Sequence, residues 1–146
     1  MNQAGWPEVR AGRLGAGVVL EAAVLWSFLD AGDKGHDRVT PRLLALAEAG
    51  TPLAVTYPTL VQVAVQAHGA YGADAAACVI ARVRESLNVL APAAEDMERA
   101  EDVLAQGVER LTLEQALAGA VARRLGCSVY GSSPAYHLFH VAVIVD

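Results

Sequence analysis

Five short apolar runs alternate with helix-length segments along this chain, and that alternation restricts the fold more than any other feature. The runs are Val18-Val19-Leu20, Leu53 to Thr56, Leu87 to Leu90, Ser128 to Tyr130 and Val141 to Val145. Continuous apolar runs of this kind are the pattern of strands buried on both faces. Strands separated by helices are joined by crossovers, which makes them parallel and places helices on both sides of the sheet. The expected architecture is a three-layer α/β/α sandwich around a mostly parallel sheet of about five strands. A single domain over residues 1–146 is expected, with an irregular segment over 1–16, because the length suits one core and no repeat or linker interrupts it.

The intervening segments carry helix signals. Ala22 to Leu29 reads as a short helix. Thr40-Pro41 offers a capping hydroxyl and a proline at the first helical position, with Gly50 as a stop. Pro58 opens a helix bearing Leu60, Val61, Ala64 and Val65 on one side and closed by Gly69. Ala73 to about Ser86 is helical. Ala93 to Gln106 reads as an acidic helix with Met97, Ala100 and Leu104 facing inward. In Thr112 to Leu125 the positions Leu113, Ala116, Leu117, Ala120 and Val121 follow the 3.6-residue period until Gly126.

Composition narrows the function classes. The chain is 54% hydrophobic and 18% charged, and its excess of alanine, valine and leucine suits helices packed closely on a buried sheet. A net charge of −5 supplies no global basic field for nucleic acid, so any such contact must be local. Arg82, Arg84, Arg123 and Arg124 read as helix-surface charges that could hold an RNA backbone only if two shared a face near a site. Cys78 and Cys127 lie far apart outside any CxxC pair and read as reduced, buried, cytosolic cysteines. Arg10 and Arg13 ahead of an apolar stretch imitate a signal peptide, but Glu21 interrupts the stretch and no small-residue cleavage site follows. No apolar run reaches membrane-spanning length. A cytoplasmic protein without membrane contact is expected.

In a parallel sheet, functional groups gather beyond the carboxyl ends of the strands. Glu21 directly follows the first run, Gln62 lies a helical turn beyond the second, and Ser133 comes just after the fourth. Gln115 falls in the first turn of the Thr112 helix. An acid between Leu20 and an apolar helix is expected to be partly buried and to need partners, which a cap or ion pair would supply as well as a ligand. Thr112-x-x-Gln115 is a capping-box pattern, although the same glutamine could line a pocket. His137 and His140 lack the further ligands of a zinc site. Gly12-x-x-Gly15-x-Gly17 precedes a strand, whereas a dinucleotide fingerprint follows one, so it reads as a turn. Ser132-Ser133 lacks a nucleophile-elbow context and reads as a loop.

Taken in order, several segments resemble the PIN domain, the fold of VapC-type toxin ribonucleases. Val18-Val19-Leu20-Glu21-Ala22-Ala23-Val24-Leu25 resembles the family's opening strand, where Asp-Thr-Asn follows three apolar residues. Asp30 to His36 resembles its Asp-rich loop with a histidine. Val55 to Val63 is similar to the segment that places a glutamate on the third helix. Leu111 to Ala118 resembles the Asp-Ala helix start, and Leu125 to Ser133 the stretch ending in Thr-x-Asp.

The resemblance implies a carboxylate cluster holding Mg²⁺ or Mn²⁺ for phosphodiester cleavage, and a homodimer or a small antitoxin-like partner. At the corresponding positions this chain carries Glu21, Ala23, Gln62, Gln115 and Ser133. Mg²⁺ is hard, dehydrates reluctantly and takes oxygen ligands that usually include carboxylates. One carboxylate offsets that cost far less than three, and water activation depends on the ion being held. The expectation is an impaired site without a metal at high occupancy, in a chain acting as a nucleic-acid-binding, regulatory or protein-interaction module. The alternative is an active Mg²⁺- or Mn²⁺-dependent endoribonuclease using Glu21 as metal ligand, with Glu114 and another acid. Glu114 is adjacent to Gln115 but points a quarter-turn or more away from it on a helix. Asp30, Asp33 and Asp146 are the other acids placed near the same sheet end or edge. A third reading is a small-molecule-binding sandwich that shares only the topology.

Overall fold

Val18–Leu20 (β1) begins the regular structure of the computed structural model, which describes residues 16–107 and 110–145. The irregular first segment, Arg10, Arg13, the Gly12 and Gly15 turn and Asp146 lie outside the described residues. From β1 the chain passes through α1 (Ala22–Leu29), α2 (His36–Glu48), β2 (Leu53–Thr56), α3 (Tyr57–Tyr71) and α4 (Ala73–Ser86). It continues through β3 (Asn88–Leu90), α5 (Ala94–Leu104), α6 (Leu113–Leu125) and β4 (Ser128–Tyr130). A 3-10 helix (Pro134–Phe139) and β5 (Val143–Ile144) follow.

The five strands form one sheet in the order β3-β2-β1-β4-β5, with every neighbouring pair parallel. Side chains alternate between its faces, as the pleat requires. Val19, Ala54 and Val129 pack with α5, α6 and the 3-10 helix. Val18, Leu20, Leu53 and Val55 pack on the other face with α1, α2, α3 and α4. The three-layer α/β/α sandwich expected from the alternation is the one observed. Among the described residues, no helix is long and apolar enough to cross a membrane.

Several local expectations are corrected. α2 starts at His36 and not at Thr40, because the Gly35 carbonyl already accepts from the Arg38 and Val39 amides. Pro41 therefore lies inside the helix, where it leaves one first-turn carbonyl without its intrahelical donor. α3 runs through Gly69 and stops at Gly72. On α5 the inward face is Asp96, Ala100 and Val103, while Met97 and Leu104 are exposed. The cause is a buried ion pair: Arg124 of α6 donates from Nε to both oxygens of Asp96 at 2.9 and 3.0 Å, which fixes the rotation of α5. Leu113 is also exposed, and Cys78 is exposed on α4. Both cysteines remain thiols, with Cys127 buried.

Candidate functional site

Strand order places the site. Going along the chain, β1, β2 and β3 build the sheet in one direction, and β4 then returns to pair on the other side of β1. The crevice between β1 and β4 is thus the switch point where parallel sheets present functional groups. Glu21 is the first residue beyond β1, and Gly131 and Ser132 are the first beyond β4. Val18, Val19 and Leu20 pair with Ser128, Val129 and Tyr130, so these strand ends lie side by side.

Glu21 is only 1% exposed, and its carboxylate accepts four hydrogen bonds from the protein. Oε1 accepts from the Ser132 backbone N–H at 2.9 Å and from the Ser132 hydroxyl at 2.8 Å. Oε2 accepts from the Tyr136 hydroxyl at 2.7 Å and, more weakly, from the Gln115 amide at 3.4 Å. Both oxygens face donors. Burial, followed by the Glu21 carboxylate beside it, pushes the Tyr136 phenol far above its ordinary range, so this hydroxyl stays a donor. The packing leaves no slack: a Cβ on Gly131 would lie 2.6 Å from Glu21 Oε2 and 2.6 Å from Tyr136 Cε2.

Glu114 is the second buried acid of the crevice, at 5% exposure. Its Oε1 accepts from the N–H of Ala22, the first residue of α1, at 3.0 Å. The same oxygen accepts from the Thr59 hydroxyl at 2.5 Å. Burial raises the Glu114 pKa, the Thr59 and Ala22 donors oppose that, and the charge on Glu21 raises it further. Thr59 is held in turn by Thr56, the N-cap of α3, whose hydroxyl oxygen accepts from the Thr59 N–H at 3.3 Å.

The other sequence-derived positions separate. Gln115 does both jobs open to it. Its side-chain carbonyl accepts from Thr112 N–H at 3.0 Å while its backbone N–H donates to Thr112 Oγ1 at 3.1 Å, a capping box, and its amide then turns the NH₂ toward Glu21. Gln62 is exposed on α3 and makes no side-chain hydrogen bond among the described residues; Thr59, one turn earlier, reaches the network instead. Ser133 is the N-cap of the 3-10 helix, its hydroxyl accepting from Ala135 N–H at 3.2 Å. Its neighbour Ser132 is the residue bound to Glu21.

Asp30 and Asp33 hold the loop after α1. Asp30 accepts from Gly32 N–H and the Tyr71 hydroxyl, and Asp33 from the Ser27 hydroxyl and Gly35 N–H. These bonds, Ser27 first, lower the Asp33 pKa. His137 Nδ1 bonds the Pro134 carbonyl, and among the described residues no group of three His, Cys, Asp or Glu side chains could hold a metal ion. Arg124 is committed to Asp96, and Arg84 stacks over the Tyr57 ring at 5.4 Å, so these arginines make no cluster at the crevice.

The sequence singles out neither Tyr136 nor Thr59, and it marks Ser132 only as a loop residue. A Ser133-Pro134 pair carries the cap-then-proline signal of a helical start, and Tyr136 is placed by that turn. Two cavities flank these elements. A polar cleft of about 380 Å³ beside Glu21 is lined by Ala23, Ser27, Arg38, Tyr130 and Ser132. An apolar groove of about 400 Å³ runs between α3 and α4, over Tyr57, Val61, Val65 and Ile80.

Sheet order and layering together define the PIN-like α/β/α fold, that of VapC-type toxins. The chain is similar to VapC20 of Mycobacterium tuberculosis, a toxin that cleaves the sarcin-ricin loop. The two share 21% identity over 83% of this chain and 93% of that one, with a TM-score of 0.70. VapBC2 from Rickettsia felis, solved bound to a DNA fragment from its promoter, matches 88% of this chain and 97% of its own at 10% identity and TM-score 0.70. A toxin–antitoxin complex from Klebsiella pneumoniae matches 80% and 87% at 18% identity and TM-score 0.56. At these identities the likeness is one of fold. No protein-family model matches the chain, and neither does any curated protein.

Proposed function

We propose that this PIN-fold chain acts by binding a protein partner and not by metal-dependent phosphodiester cleavage. The observation that carries the reading is the saturated carboxylate of Glu21, with four protein donors on two oxygens. A divalent ion needs those same lone pairs, and an ion placed there would face the positive ends of N–H and O–H groups. Loading it would break buried charge-assisted hydrogen bonds, each worth about 1.5–3 kcal/mol. Gln62, Gln115 and Ser133 offer no charge to offset that cost. The residues present therefore do not fit the ion that the family resemblance implies.

The partner class we assign is a small antitoxin-like protein, because toxin–antitoxin assemblies are among the solved structures that share the fold. Val61 and Val65 stand 58% and 67% exposed along α3, apolar surface of the kind that protein contacts cover. Self-association into a homodimer would use such surface as well.

One observation favours the enzymatic alternative: Glu21 and Glu114 are buried together, and neither makes an ion pair among the described residues. Incubating single-stranded RNA with the wild type and with Glu21→Gln, in Mg²⁺ or Mn²⁺, separates the two. The binding reading expects equal, background cleavage by both. Metal-dependent cleavage lost in Glu21→Gln would establish the ribonuclease instead.

A further inference from the structure

We infer that Tyr136 locks the crevice: its hydroxyl takes the position on Glu21 Oε2 that a cation would need, and the 3-10 helix Pro134–Phe139 is the device that delivers it. The inference deepens the reading above and rests on it.

Three observations carry it. First, Tyr136 is fully buried although it is a large side chain with a polar tip, and buried tyrosine hydroxyls need a partner. Its partner is the acid at the switch point, at 2.7 Å. Second, the turn that brings it there is built for the purpose by local chemistry. The Ser133 hydroxyl caps the 3-10 helix, Pro134 sets its first residue, and His140 ends it in the left-handed conformation at φ 56°. Phe139, from the same turn, lies on α6 so closely that a Cβ on Gly119 would approach its ring to 2.6 Å. The turn is therefore anchored at both ends and by its apolar side chain. Third, Gly131 leaves the room in which Glu21 and Tyr136 meet, because any side chain there would overlap both.

A carboxylate held by a neutral phenol, a serine hydroxyl and two N–H groups gives up its acceptor positions to the protein. That is the physical content of the lock. Metal exclusion then comes from occupied lone pairs, in addition to missing acids. Restoring acids elsewhere in the crevice would not by itself reopen Oε2.

The test is a double-mutant cycle on thermal unfolding of the full chain, using Tyr136→Phe, Glu21→Gln and the pair, each with and without Mn²⁺. Tyr136→Phe keeps the ring and removes the donor. We expect it to lower Tm by about 4–8 °C in the wild-type background, the loss of one charge-assisted bond in a domain of this size. In the Glu21→Gln background its effect should fall to less than half of that. Mn²⁺ should leave the wild-type Tm unmoved.

Additive effects would show that the hydroxyl and the carboxylate do not act on each other, and would overturn the lock. So would a wild-type Tm that rises with Mn²⁺ and fails to rise in Glu21→Gln. Should either single variant fail to fold, Tyr136→Leu and Ser132→Ala complete the cycle against the remaining one. RNA cleavage is a separate readout: a lock can fail while the chain stays inactive, and activity would contradict the functional reading whatever the cycle shows.

Discussion

Two acids of this chain are equally buried and are satisfied in opposite ways. Asp96, between α5 and α6, takes a guanidinium from Arg124 and the Ala93 N–H. Glu21, at the switch point between β1 and β4, takes only neutral donors, and a second acid, Glu114, is buried beside it. The first arrangement neutralises its charge and fastens two helices. The second supplies no opposite charge and fastens a turn to a strand end. The contrast identifies the crevice as the place where the fold retains electrostatic tension, and the α5–α6 bridge as a place where that tension has been removed.

Breaking the neutralised pair should cost most. Arg124→Ala leaves Asp96 buried without its cation. We expect a loss of about 2–3 kcal/mol in urea unfolding, below the figure for a fully buried pair because the Arg124 side chain is 28% exposed. A loss under 1 kcal/mol would show that Arg124 is only a surface charge and would erase the contrast.

The crevice predicts a smaller effect that depends on pH. Burial holds the folded pKa of Glu114 above its unfolded value. The stability tied to its proton is therefore fully present below the ordinary glutamate range, at about pH 4.3, and is lost as the pH rises through the folded pKa. Glu114→Gln has no proton to lose. Its Tm should gain on the wild type as the pH rises from the ordinary glutamate range, about 4.3, through the folded pKa, and level off above it. A difference between the two that stays constant with pH would mean that Glu114 is not held in its charged form at a cost.

Much of this was legible in the sequence. Continuous apolar runs separated by helices gave the parallel sheet directly, since buried strands leave a signal that does not depend on partners. The capping box of Thr112 and Gln115 was readable for the same reason: both ends of the interaction lie within four residues. Glu21 announced itself by standing between apolar neighbours. Thr59, Ser132 and Tyr136 were not readable, because each acquires its role from a residue far away in the chain, Glu114 for the first and Glu21 for the other two. The face of α5 was misjudged by its apolar residues alone, since a buried Asp96 outweighed Met97. β5 is two residues long, Val143–Ile144, where the apolar run extends from Val141 to Val145, and the 3-10 helix before it carries only Ser133-Pro134 as a local mark.

Protein donors already hold the Glu21 carboxylate, and this occupancy is what should keep a cation out. Calorimetric titration of Mn²⁺ into the wild type at neutral pH, with Glu21→Gln as the control, addresses it most directly. Neither protein should give saturable heat. Stoichiometric, saturable binding to the wild type that vanishes in Glu21→Gln would contradict it.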